Sequence, residues 1–424
     1  MKHEQAWVAL AEALGPRSPF LRTLLGHFET PEAVFEADEA AIRSVLPDIG
    51  QGILSALVNK KTERDAARIV AWCHRNGVRI LTLDNEAFPS PLREIDEPPA
   101  VLYCRGRLPL LDSRLAVGVV GTRKADAYGQ RVAYKLSFEM AAAGAVIVSG
   151  MAAGLDAIAA AAALNAGSDT IAVLGCGIDI VYPSQHTRLA AEIAEHGAII
   201  TEYAPGTKPN GWNFPMRNRI ISALSSAVLV VEAGENSGAL ITARYALLQG
   251  KPLFAVPGDI TSPRSVGTNR LIAEGAIVAL DASEMLEHFR FLYRDAIRIE
   301  RLPEAMQYSA ITAEALRRFG LHPIEDAKEK EAVPERREKA ARRKKQKDVK
   351  GQENPITVQE KPLPDTSPLT PRQKELYDML GEESFSVDHL TARGVPVSEA
   401  ASTLTVFEIY GLVRSLPGGL FSKR

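Results

Sequence analysis

Between residues 111 and 285 the chain alternates short apolar runs with longer segments of helical periodicity. The runs read LAVGVV, AVIVSG, TIAVLG, AIITEY, AVLVVEAG, PLFAVPG and AIVAL, and segments such as VAYKLSFEMAAAG, LDAIAAAAALNAG and GALITARYALLQG separate them. The runs are continuously hydrophobic rather than alternating, which predicts strands buried on both faces. Strand–helix alternation at this spacing predicts an α/β fold with a doubly wound, mostly parallel sheet. After Gly121, Val132, Leu136 and Met140 recur every four residues and are expected to face that sheet.

The flanks follow other patterns. Trp7, Leu10, Leu14, Leu21, Leu24, Leu25 and Phe28 fall at helical spacing, and Thr30 precedes Pro31 as a helix cap would, so residues 1–65 read as a small all-α domain. The core is expected over 66–290, entered by a helix around Ala66–His74, VRILTLDNEAFPSPL and a short apolar strand in EPPAVLYCRG. Residues 291–368 read as partly helical and then as a charged flexible linker. Its basic cluster Arg342–Lys345 offers a contact to DNA, but the reading preferred is a solvated linker. Residues 369–424 predict a winged-helix-like domain: Thr370 and Pro371 open one helix, FSVDHLTARG and SEAASTLTVFEIYG give two more, and LVRSLPGGLFSK folds as a hairpin across Pro417, Gly418 and Gly419. The helix Ser398 to Tyr410 has Glu399 and Glu408 and no Lys or Arg, the wrong charge for a groove lined by phosphates, so contact with protein is expected of it.

Composition narrows the classes. At 424 residues the chain exceeds one ordinary core, and 46% hydrophobic with 24% charged residues fits a globular protein. The formal net charge of −2 excludes a general basic field, so any polyanion site must be a local patch. Cys73, Cys104 and Cys176 stand far apart in no CxxC spacing, which argues against zinc and disulfides and fits a reducing cytosol. No stretch resembles a signal peptide or approaches the roughly 20 apolar residues of a membrane span. The expectation is a cytoplasmic protein with no membrane span, metal or cofactor.

In an open parallel sheet, ligands sit beyond the carboxyl ends of the strands. Four such ends here carry glycine-rich loops. The first presents Gly121, Thr122, Arg123 and Lys124, and the second Ser149, Gly150, Gly154 and Asp156. The third is AVLGCGIDIVYP, and the fourth brings Ser237 and Gly238 to the start of a helix. Glycines admit a ligand to the backbone and helix N-termini favour anions, so the set predicts a phosphate site. No GxGxxG follows the first strand, no Walker motif occurs, and no GxSxG surrounds Ser149 or Ser237. His186 and His196 are the only histidines between residues 111 and 285, so no catalytic residue is assigned. The segment GTKPNGWNFPMRNRIIS adds Lys208, Asn213, Phe214, Arg217, Asn218 and Arg219. An aromatic beside two arginines can stack a base while the cations meet phosphates. The same pattern fits a core phenylalanine with arginines in caps or salt bridges, and the residues alone leave both open.

VVGTRK, VSGMAAGLD, AVLGCGIDIVYP, NFPMRNRIIS, GENSGALITARYAL and FAVPGDITSPRSVGTNRLIAEGA, in this order within residues 75–285, together resemble the DprA family, DNA-processing protein A, also called Smf. The resemblance implies an extended Rossmann-like core that dimerises. It implies a non-catalytic binder of single-stranded DNA that protects incoming DNA and loads the recombinase RecA during natural transformation. It places the family's pocket on the turn Gly121, Thr122, Arg123, on Phe214 and on Arg217 and Arg219, and so favours stacking for Phe214. The chain departs from the family at Ala153, Ala160 and Gly211, where polar or basic residues are usual; Lys124 or Lys208 is the candidate replacement. An alternative is a nucleotide phosphoribohydrolase on a related sheet, which GENSGALITA resembles, although the PGGxGTxxE of those enzymes is missing.

Overall fold

A computed structural model describes residues 1–322, 369–381, 385–409, 412–416 and 420–423. The chain divides into two compact units, Met1–Ile324 and Glu325–Arg424. The predicted linker with Arg342–Lys345, the hairpin turn at Pro417, Gly418 and Gly419, and Tyr410 lie outside the described residues.

The first unit is built on nine strands: β1 Arg79–Thr82, β2 Val101–Gly106, β3 Ala116–Val120, β4 Val146–Ser149, β5 Thr170–Val173, β6 Gly197–Thr201, β7 Ala227–Val230, β8 Leu253–Ala255 and β9 Ile277–Val278. Their order is β1-β2-β6-β5-β4-β3-β7-β8-β9. From β6 to β9 all neighbours are parallel, with Val117 of β3 paired to both Ile147 and Ala227. β1 and β2 close one side as antiparallel strands. Every residue of β3 to β7 is buried, as the unbroken apolar runs require. Alternate residues supply two apolar clusters. Val117, Val119 and Ile147 face one with Leu136 and Met140, whereas Ala116, Val120 and Val148 face the other with Ile220, Ile221 and Leu224. Helices thus cover both faces of the sheet, the doubly wound arrangement.

Two details position the site. The chain runs outward from β3 through β4, β5 and β6 and then crosses back to β7, so the strand order reverses between β3 and β7. Helix Leu155–Asn165 is buried from Leu155 to Leu164, and its alanines let it lie close against helix Ala127–Ala142 and the sheet.

The N-terminal helices, His3–Leu14 to Lys60–Arg75, contribute Trp7, Leu10, Leu14, Leu21 and Leu24 to the same apolar cluster as one sheet face. Thr30 caps its helix by accepting from the Ala33 amide at 3.2 Å. In the second unit, helices Pro371–Asp378, Val387–Thr391 and Val397–Ile409 precede the antiparallel pair β10 Val413–Leu416 and β11 Leu420–Lys423. Thr370 and Gln373 form a reciprocal capping box, and Leu376, Leu390, Leu404 and Phe407 make a small core. Three helices and a two-stranded wing constitute a winged helix.

Candidate functional site

At the reversal point a cavity of about 530 Å³ opens beyond the carboxyl ends of β3, β4 and β7. The turn after β3 forms one wall. The Thr122 amide donates to the Glu232 carbonyl at 2.8 Å, which anchors this turn to the end of β7. The Thr122 hydroxyl accepts from the Lys124 amide at 3.2 Å and folds the turn back, leaving Arg123 and Lys124 exposed. Gly121 is pressed against Leu155, with no room for a β-carbon. Gly154 has φ +83°, and a β-carbon there would stand 2.5 Å from the Thr122 carbonyl oxygen. Both glycines let the β3 and β4 loops touch.

Helix Asn213–Leu224 forms the opposite wall. It begins at Asn213, so Phe214, Arg217 and Asn218 belong to its first two turns. At about 100° per residue, positions 214, 217, 218 and 221 share one face, and Phe214, Arg217, Asn218 and Ile221 all line the cavity. Arg219 is two residues from Arg217 and faces away. Its guanidinium makes a buried bidentate pair with Glu202 at 2.6 and 2.7 Å and donates to the Glu97 carbonyl at 3.2 Å. Arg219 therefore stands outside the cavity with its charge already matched.

Arg217 is also buried, in the floor of the cavity. It donates to the Gly150 carbonyl at 3.0 Å and to the Val173 carbonyl, and its Nε donates to Asn218 Oδ1 at 3.2 Å. Burial pulls its pKa down to about 10, against the opposing charge of Asp156, so it remains a cation at neutral pH. Asp156 accepts from the Gly150 amide at 3.1 Å; burial raises its pKa, while Arg217 acts in the opposite direction.

The Phe214 ring is half-buried at the rim. The Arg123 guanidinium lies 5.2 Å from its centroid, and the Tyr182 ring lies 5.4 Å away, tilted by 32°. Ser237 and Gly238 line the third wall, where helix Ala239–Leu248 begins. The Gly238 carbonyl accepts from Asn218 Nδ2 at 3.3 Å, and the Ser237 hydroxyl accepts from the Ala239 amide at 3.4 Å. A cationic rim, an aromatic ring and a helix N-terminus thus converge on one cavity.

Other residues singled out in the sequence hold the fold together or lie away from this rim. Ser149 is buried and donates to the Val119 carbonyl at 2.7 Å, tying β4 to β3. Gly150 has both backbone polar groups occupied by Asp156 and Arg217. Asn213 lines a separate cavity of about 310 Å³ against the N-terminal helices. Lys208 is exposed and outside both. Ala160 is packed in the core, whereas Gly211 lines the cavity without supplying charge. His186 is buried with Nδ1 3.0 Å from the Met151 carbonyl, and His196 directly precedes β6, at the amino end of that strand. Tyr182 was not singled out; its only sequence signal is an aromatic ending the third glycine loop, AVLGCGIDIVYP. Among the described residues no helix is long and apolar enough to cross a membrane.

Comparison with known proteins gives a consistent picture. The profile of the family described as DNA recombination-mediator protein A matches residues 79–290, and that of the DprA winged helix domain matches 360–419. The chain is 41% identical over 220 residues to DNA processing protein DprA of Bacillus subtilis, covering 52% of this chain and 74% of that one. It is 33% identical over 352 residues to Protein Smf of Escherichia coli, covering 82% and 79%. The X-ray structure of DNA processing protein A from Streptococcus pneumoniae superposes with a TM-score of 0.56 at 30% identity, covering 68% of this chain and 98% of that one.

Proposed function

The chain belongs to the DprA/Smf family of DNA recombination-mediator proteins, and on that premise we propose that its cavity binds single-stranded DNA without catalysing a reaction on it. The observation that carries this reading is the Arg123 guanidinium beside the half-buried Phe214 ring at the sheet's reversal point. An unpaired base stacks on an aromatic face whatever its identity, which gives sequence-tolerant binding. Its phosphates meet Arg123 and Lys124, and the dipole of helix Ala239–Leu248, whose N-terminus lines the cavity, favours their charge. The hydroxyl of Ser149 is held by β3 and the ring of His186 faces a carbonyl, so neither is poised as nucleophile or base for the cavity.

The wider role rests on the family. The bound strand is protected and passed to the recombinase RecA during uptake of DNA by transformation, in the cytoplasm. The protein acts as a homodimer through its core. The free edge of β9, with Ile277, Val278 and Leu280 exposed, supports this. Fluorescence anisotropy with labelled oligo-dT tests the site. Arg123→Ala and Phe214→Ala should each weaken binding severalfold or more with thermal stability near wild type, and no free base should appear on incubation with a nucleoside monophosphate. Unchanged affinity in both variants overturns the reading; release of base replaces it with a phosphoribohydrolase.

A further inference from the structure

The Phe214 ring touches a second ring that the cavity does not include. Tyr182 is 40% exposed and lies against Phe214, 5.4 Å between centroids. It sits outside the cavity lining, whereas Arg123 on Phe214 belongs to it. Phe214 therefore links Arg123, which lines the cavity, to Tyr182, which lies outside that lining. An exposed tyrosine ring is a ready stacking face: it has two side-chain torsions to order and a polar tip that stays wet.

The loop carrying Tyr182 is held in place by the segment carrying Lys208. The Gly177 amide donates to the Thr207 carbonyl at 2.8 Å, and the Gly206 amide donates to Asp179 Oδ1 at 2.8 Å. Backbone approach is so close that a β-carbon on Gly177 would lie 2.6 Å from Asp179 Oδ1 and 2.8 Å from the Ala204 carbonyl oxygen. Lys208 itself is exposed. An exposed aromatic face and an exposed cation thus stand on two interlocked loops, the first of them against the rim residue Phe214.

We propose that Tyr182 and Lys208 form an outer subsite for the next nucleotide of a bound DNA strand, Tyr182 stacking its base and Lys208 meeting its phosphate. The inference rests on the single-strand reading of the cavity. It gives the strand a direction, from Arg123 over Phe214 to Tyr182. It also supplies a cation three residues before Gly211, which itself brings none to the cavity.

The test is binding of the full chain to oligo-dT carrying one abasic nucleotide, moved along the strand. Wild type should show two adjacent sensitive positions, each costing about five- to 150-fold in affinity, the range of one lost base stack. Tyr182→Ala should erase the penalty at one position, Phe214→Ala at the other, and Tyr182→Phe should retain both. Lys208→Ala should flatten the slope of log affinity against log salt by ~0.7, one phosphate contact on a single strand. If Tyr182→Ala keeps full affinity and both penalties, or loses affinity while both penalties persist, the outer subsite does not exist and Tyr182 merely covers Phe214. If Phe214→Ala also leaves affinity intact, the cavity itself is not the DNA site.

Discussion

Glu232 ends the strand run that holds the Thr122 turn, and its carboxyl is buried with a side-chain exposure of 4%. Oε2 accepts from the Asp126 amide at 3.3 Å, while Oε1 has no hydrogen-bond donor and only the Arg264 guanidinium at 3.7 Å. Gly129 lies against the carboxyl so closely that a β-carbon there would collide with Oε2. Burial, reinforced by the nearby Asp126 carboxylate, pushes its pKa from an ordinary 4.5 up to about 7. The sign follows from proton counting. Between these values the unfolded chain has released the proton and the folded chain keeps it, so stability falls as pH rises through the window. A rise of ~2.5 pH units at about 1.4 kcal/mol each comes to ~3 kcal/mol, complete above pH 7 and absent below 4.5. Glu232→Gln keeps an acceptor for the Asp126 amide and carries no proton equilibrium. Its advantage over wild type should therefore grow by about 2 to 3 kcal/mol between pH 5 and pH 8. Urea unfolding at several pH values measures it. Trp7, Trp72 and Trp212 all lie in the Met1–Ile324 unit, so tryptophan fluorescence reports that unit alone. Because the comparison is between variants, other titrating groups cancel. Parallel stability profiles, or an advantage that shrinks with pH, would refute the buried-carboxyl argument.

Two further substitutions separate architecture from binding. Arg219→Ala leaves Glu202 buried without its partner and should cost about 3–5 kcal/mol of stability while folded protein binds oligo-dT as wild type does; a loss of affinity with an unchanged melting temperature would instead put Arg219 on the DNA. Gly154→Ala imposes a side chain at φ +83° against the Thr122 carbonyl. It should cost about 1–3 kcal/mol and also weaken DNA binding, because the Arg123 turn must shift; thermal melts and anisotropy on the same sample check both.

The parallel strands were legible because burial on both faces leaves an unbroken apolar run, which LAVGVV and AVLVVEAG display. The direction of β1 and β2 was not, because an apolar run does not say which neighbour it will pair with, and β2 finds β6 some hundred residues later. In the site, the glycines and Arg123 were legible because a strand end and a turn are local events. The arginines after Phe214 were not separable by type. Their roles follow from helical phase: once the helix starts at Asn213, Arg217 must enter the floor and Arg219 must turn to Glu202. Tyr182 was hidden because its partner ring is remote in sequence, and only the folded chain sets the two side by side.

The placement of its cations decides how the protein can hold a polyanion at a net charge of −2. Arg219 is spent on Glu202, and Arg217 on two carbonyls and the charge of Asp156. Arg264 is occupied by the Lys124 carbonyl and the Asp126 carboxylate, with the Glu232 carboxyl 3.7 Å away. Arg123, Lys124 and Lys208 remain exposed around the aromatic row. Two or three phosphate contacts on a single strand give a slope of log affinity against log salt of about −1.4 to −2.1 per protomer. Most of the affinity must then come from stacking, which salt does not screen. Titrating oligo-dT between ~50 and ~400 mM NaCl, with a duplex of equal length alongside, measures this. The single strand should bind with that shallow slope, and the duplex, whose bases are already stacked, should bind far more weakly. A slope steeper than about −4, or equal affinity for the duplex, would mean that electrostatic contacts outside this cavity hold the DNA.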